Sequence, residues 1–159
     1  MTLEKNISPS VREAWEKISR WCAYRERCQQ EVRNKLYEMK LCSIPEIEQL
    51  IARLITENFL NEMRYATAFA GGKFRINKWG KIKIKIELQK HNISSYCIKK
   101  ALESIDSSEY KKTISRIIEK KLKEIKHPVK AYRIQKTIQY CISRGFEAAI
   151  VKELLPDEN

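Results

Sequence analysis

Phe59–Ile93, FLNEMRYATAFAGGKFRINKWGKIKIKIELQKHNI, holds the stretch whose reading decides the fold. Within it Ile82, Ile84, Ile86 and Leu88 alternate with charged residues, which taken alone is the signature of a half-buried strand. No other segment alternates in this way, so such a strand has no partner in the chain. A helical reading instead puts Ile84 and Leu88 on one stripe with Ile82 and Ile86 beside it. We therefore read Ile82–Lys90 as a helix following Gly80. Before it, a polar start at Asn61 leads into the helix-period run Tyr65, Ala66, Phe69 and Ala70, which the Gly71-Gly72 pair interrupts.

The same grammar extends outward on both sides. On the N-terminal side, Ser10 to Glu13 reads as a capping box with Pro9 just upstream. It leads into Val11, Ala14, Trp15, Ile18, Trp21 and Cys22. Cys28, Val32, Leu36 and Met39 mark a second helix. A capping box at Ser43 and Glu46 opens a third, striped by Ile47, Leu50, Ile51, Leu54 and Ile55. Beyond Ile93, a helix follows Ser94 or Ser95 with Ile98, Ala101, Leu102 and Ile105 on one face. A long one starts at Ser107 or Ser108 and carries Tyr110, Ile114, Ile117, Ile118, Leu122 and Ile125. His127-Pro128 ends it and opens the next, with Ala131, Ile134, Ile138, Cys141 and Ile142. Gly145 reads as a left-handed cap. Ile150, Val151, Leu154 and Leu155 form the last helix, closed by Pro156.

Two landmarks repeat at one interval. Leu36 to Leu88 is 52 residues and Leu88 to Cys141 is 53; Leu41 to Ile93 is 52 and Ile93 to Phe146 is 53. The chain thus reads as all-α, three tandem three-helix repeats over 9–58, 59–105 and 107–156, in an elongated, curved, right-handed array. Leu36, Leu54 and Leu88 are expected in the core.

Charge is unevenly spread. Of the net +12, residues 61–105 carry ten Lys and Arg against three Glu, more than half of the total. Such a concentration points to an anionic partner. The candidate contact face is Arg64, Lys73, Arg75, Lys78, Lys81, Lys83 and Lys85, with Phe74 and Trp79 either stacking on a partner or filling the core. Catalytic motifs are missing: Gly71-Gly72-Lys73 lacks the spacing and hydroxyl of a phosphate loop, and two histidines support no triad. We expect no enzyme and no cofactor. Five cysteines form no CxxC pair, and His91 and His127 have no acidic or Cys neighbour at ligand spacing, so no metal site is expected. The absence of a long apolar run or a leader favours a cytoplasmic protein outside the membrane, and the high charge favours a monomer.

Phe59-Leu60-Asn61-Glu62-x-Arg64-Tyr65-Ala66-x-Ala68-Phe69, Lys78-Trp79-Gly80-x-x-x-Ile84-x-x-x-Leu88 and Ser143-Arg144-Gly145-Phe146 resemble the RecX family of bacterial recombinase regulators. The resemblance runs from about Trp15 to Leu155. Asn61 stands where the family usually has an acid, Gly71-Gly72 where it has an arginine-bearing helix, and Cys28 where it has Ser or Thr. The resemblance implies a regulator that binds along the groove of the RecA nucleoprotein filament. It also implies inhibition of the recombinase, ATPase and co-protease activities and restraint of the SOS response. In this reading the basic face takes single- or double-stranded DNA as a secondary ligand. The other reading is an independent DNA-binding protein that uses one three-helix unit like a helix-turn-helix. Against it, the Lys and Ile of residues 81–90 offer little that reads base edges.

Overall fold

The computed structural model describes residues 7–157. Among them are nine helices and no strand. In order these are α1 (Pro9–Tyr24), α2 (Gln29–Met39), α3 (Ile44–Thr56), α4 (Glu62–Arg75), α5 (Lys81–Lys90), α6 (Ser95–Glu103), α7 (Ser107–Glu124), α8 (Lys130–Ser143) and α9 (Ala148–Leu154). They gather into two compact units. The first spans the chain to Tyr65 together with His91–Ile93; the second takes Ala66–Lys90 and everything from Ser94 onward.

In the first unit, α1, α2 and α3 pack on a core of Ile18, Val32, Leu36, Leu50, Ile51 and Leu54. Trp15 meets Phe59 edge-on at 5.8 Å, and the Arg53 guanidinium covers the open face of Trp15 at 3.8 Å. Burying such rings contributes more than their area alone. Ser43 closes the capping box read from the sequence: its amide donates to Glu46 Oε1 at 2.8 Å, and its Oγ accepts from the Glu46 amide. The first box is not formed as read. Ser8, extended at φ −61° and ψ 151°, caps α1 by accepting from the Val11 amide. Pro9 then occupies the first helical turn, where its missing N–H costs nothing.

The second unit holds α5–α9 and most of α4. Phe74, Tyr110 and Phe146 form an aromatic row with centroids 5.5 and 5.6 Å apart, and Ile84, Leu88, Ile114, Ile118 and Val151 are buried in the same unit. Ile82–Lys90 is helical as expected. Ile84 and Leu88 are fully buried while Ile82 and Ile86 are each 47% exposed, so one stripe serves the core. The α4 helix does not break at Gly71-Gly72. The Arg75 side chain folds back over Gly71, where an added Cβ would lie 2.7 Å from Arg75 Nη1, and the helix runs on to Arg75. On α8 the buried stripe is also displaced: Thr137 and Cys141 are inside, whereas Ala131 and Ile142 face solvent. Thr137 tolerates burial because its hydroxyl donates to the Arg133 carbonyl at 2.9 Å.

The repeat appears in the backbone itself. Left-handed residues follow α2, α5 and α8 at Lys40 (φ 56°), Asn92 (φ 58°) and Gly145 (φ 93°), spaced by the same 52 and 53 residues. Each immediately precedes its landmark, Leu41, Ile93 or Phe146. Leu36, Leu88 and Cys141 are all fully buried, as the periodicity required.

Candidate functional site

The motifs of the middle and last repeats meet. The Gly80 amide donates to the Arg144 carbonyl at 2.8 Å and the Ile82 amide to the Gly145 carbonyl at 3.0 Å. Between them, the Lys81 amide donates to Tyr110 Oη at 3.0 Å, and that hydroxyl donates in turn to Glu147. Three orphan donors at the start of α5 are therefore satisfied by distant groups. A Cβ on Gly80 would collide with the backbone of Gly145 and Phe146, and one on Gly145 with Lys83. Both glycines are thus demanded by close approach. The Tyr110 phenol is held well above its usual range by burial and by Glu147. This junction is structural.

The predicted basic face is dispersed. Arg64 is engaged away from it, with Nε on Glu26 at 2.5 Å and further donors on the Asn58 side chain and carbonyl. Lys73 and Lys83 lie over the Trp79 ring at 4.8 and 4.4 Å, and Lys81 lies over Tyr110 at 4.9 Å. Phe74 is in the core. Trp79 is half-buried beneath two ammonium groups, which leaves neither ring as an open stacking platform. Arg75, Lys78 and Lys85 are the exposed members. On a helix Lys81 and Lys85 share a face, and Lys83 stands on the other side.

Tertiary structure gathers other cations instead. Lys78, left-handed at φ 56°, donates from Nζ to the Arg75 carbonyl at 2.8 Å. Arg144 donates to the Asn77 carbonyl, tying this turn to the end of α8. Lys78 and Arg144 then line one cavity with Lys120 and Lys121 of α7. On its other side Lys78 lines a second cavity of about 470 Å³ with Arg75 and Arg116. Neither Lys120 nor Lys121 belonged to the face read from the sequence. Their only local signal was the Lys-rich outer face of α7, which any solvated helix shows.

Cys22, Cys28, Cys97 and Cys141 are buried. Burial pushes the Cys22 thiol up to about 11 and raises Cys28 and Cys141, so these sulfurs stay protonated at neutral pH. Among the described residues no group of His, Cys, Asp and Glu could hold a metal ion, and no helix is long and apolar enough to cross a membrane.

By class this is an all-α protein of nine helices among the described residues, with a close glycine contact between the start of α5 and the end of α8. Its sequence and fold are similar to those of RecX proteins. The family model for RecX, second three-helix domain, matches residues 61–102. Regulatory protein RecX of Oceanobacillus iheyensis is 25% identical over 84% of this chain and 48% of its own length. That of Prosthecochloris aestuarii is 25% identical over 92% of this chain and 94% of its own. That of Clostridium acetobutylicum is 30% identical over 82% and 62%. The chain accordingly spans about half the length of the Oceanobacillus relative and nearly all of the Prosthecochloris one. The crystal structure of RecX from Lactobacillus salivarius shares the fold with a TM-score of 0.84, at 20% identity over 93% of this chain and 96% of that one.

Proposed function

We propose that this chain is a regulator of the RecA recombinase. It binds the RecA nucleoprotein filament and inhibits its recombinase, ATPase and co-protease activities, so that recombination and the SOS response are restrained. The observation that supports this most is the likeness to proteins named Regulatory protein RecX over 84% and 92% of this chain. The excess of Lys and Arg in the middle repeat agrees with an anionic or acid-lined groove as the target.

Titrating the chain into RecA filaments on single-stranded DNA should lower ATP hydrolysis as the filament is occupied. Unchanged hydrolysis together with unchanged filament mobility would remove the proposal. Within it, Arg75→Glu with Lys85→Glu should weaken filament association at least tenfold, about 1.4 kcal/mol, without unfolding the protein. The matched control is Lys126→Glu with Lys130→Glu, both exposed and outside the middle repeat, because Lys120 and Lys121 adjoin Lys78 and are no neutral comparison.

A further inference from the structure

We infer that the cavity bounded by the α4–α5 turn, α7 and α8 is a phosphate-binding cleft, made for the phosphodiester backbone of a nucleic acid or the phosphate tail of a free nucleotide. The cavity is about 190 Å³ and is lined by Lys78, Lys120, Lys121 and Arg144, with Ile117, Tyr140 and Glu124 completing the wall. Four cations thus surround one carboxylate, and that carboxylate is already engaged by Lys121 at 3.3 Å and Lys120 at 3.9 Å. Lys78 and Arg144 make no ion pair among the described residues, so their charge is uncompensated there.

The cleft is organised before any ligand arrives. Lys78 and Arg144 are both anchored on main-chain carbonyls of the turn, and the Lys121 ammonium rests on the Tyr140 ring at 4.0 Å. Fixing these long side chains in advance removes much of the ordering cost that binding would otherwise carry. The charge balance selects the anion. Four cations against one carboxylate leave a net of +3 in the cleft, more than a single carboxylate neutralises. A phosphate, with a larger charge and several oxygens, can accept from ammoniums on separate elements. Tyr140, covered by Lys121, is no platform for a base, so recognition would ignore sequence.

The inference stands apart from the filament proposal, since its test contains no RecA. The full chain would be titrated with pyrophosphate and, separately, with fluorescein-labelled oligothymidylate, as wild type, as Lys78→Gln with Lys120→Gln, and as Lys99→Gln with Lys100→Gln. Circular dichroism would confirm that all three fold. The cleft variant should weaken oligothymidylate binding about tenfold and lower the log–log salt slope by about 0.7 for each phosphate no longer neutralised, with the α6 variant within about twofold of wild type. Weakening of both probes supports a nucleic-acid backbone, and weakening of pyrophosphate alone supports a free nucleotide tail. Equal weakening in the two variants, or none in the cleft variant with either probe, overturns the inference. So does an effect confined to a polyglutamate peptide, which would assign the cleft to an acidic protein segment.

Discussion

The helices α2 and α5 occupy the same place in successive repeats yet begin in different ways. At α2 the solution is local: the Cys28 amide donates to Glu31 Oε2 at 3.0 Å, three residues away. At α5 it is remote, with Arg144, Gly145 and Tyr110 accepting from Gly80, Ile82 and Lys81. A locally capped helix depends on its own sequence. A remotely capped one depends on the third repeat, and the residue before its first turn must be glycine because another backbone lies against it. Motif strength in a sequence therefore marks packing here as readily as it marks a binding surface.

The sharpest way to break this comparison is Gly80→Val. The added carbons fall on the Gly145 backbone, and a loss of about 3 kcal/mol or more is expected in urea unfolding. A loss below about 0.5 kcal/mol would mean that the junction yields and the comparison fails. Next is Tyr110→Phe, which leaves the Lys81 amide and Glu147 without their shared partner and should cost about 1–3 kcal/mol. It also carries a pH signature. Folding raises the Tyr110 phenol, so its contribution is intact below the ordinary tyrosine range near 10 and fades as pH climbs above it. Alkaline destabilisation should be shallower in the variant, though not abolished, because burial raises Tyr65 as well. The smallest effect belongs to the local cap. Glu31→Ala should cost about 1 kcal/mol, a typical net value for one hydrogen bond. A cost equal to that of Gly80→Val would erase the distinction between the two helix starts.

Much of the architecture was legible because it is periodic. The lack of a second alternating segment decided against a strand at Ile82–Leu88, and the left-handed Lys40, Asn92 and Gly145 carry the 52- and 53-residue intervals in the backbone. Local chemistry also decided the Ser43 cap. What could not be read was convergence across long separations. Nothing near Lys78 in sequence announces Lys120 or Arg144, and nothing near Arg64 announces Glu26. The α1 start was misread because Ser8 and Ser10 both suit a cap, and only the backbone at Pro9 chooses between them. Gly71-Gly72 was misread as a break because glycine weakens helices on average, whereas here it makes room for a folded-back arginine.

The remote cap of α5 also sets an order of events during synthesis. Chains emerge from the ribosome at about 5–20 residues per second and fold from the N-terminus as their parts become available. The hydrophobic core shared by α1 to α3 is complete once Leu60 is made. By contrast α5 waits with bare amides until Arg144 and Gly145 have been added. The helix α6, which packs on α5, is available well before them, so α5 first gains a neighbour and only later its cap.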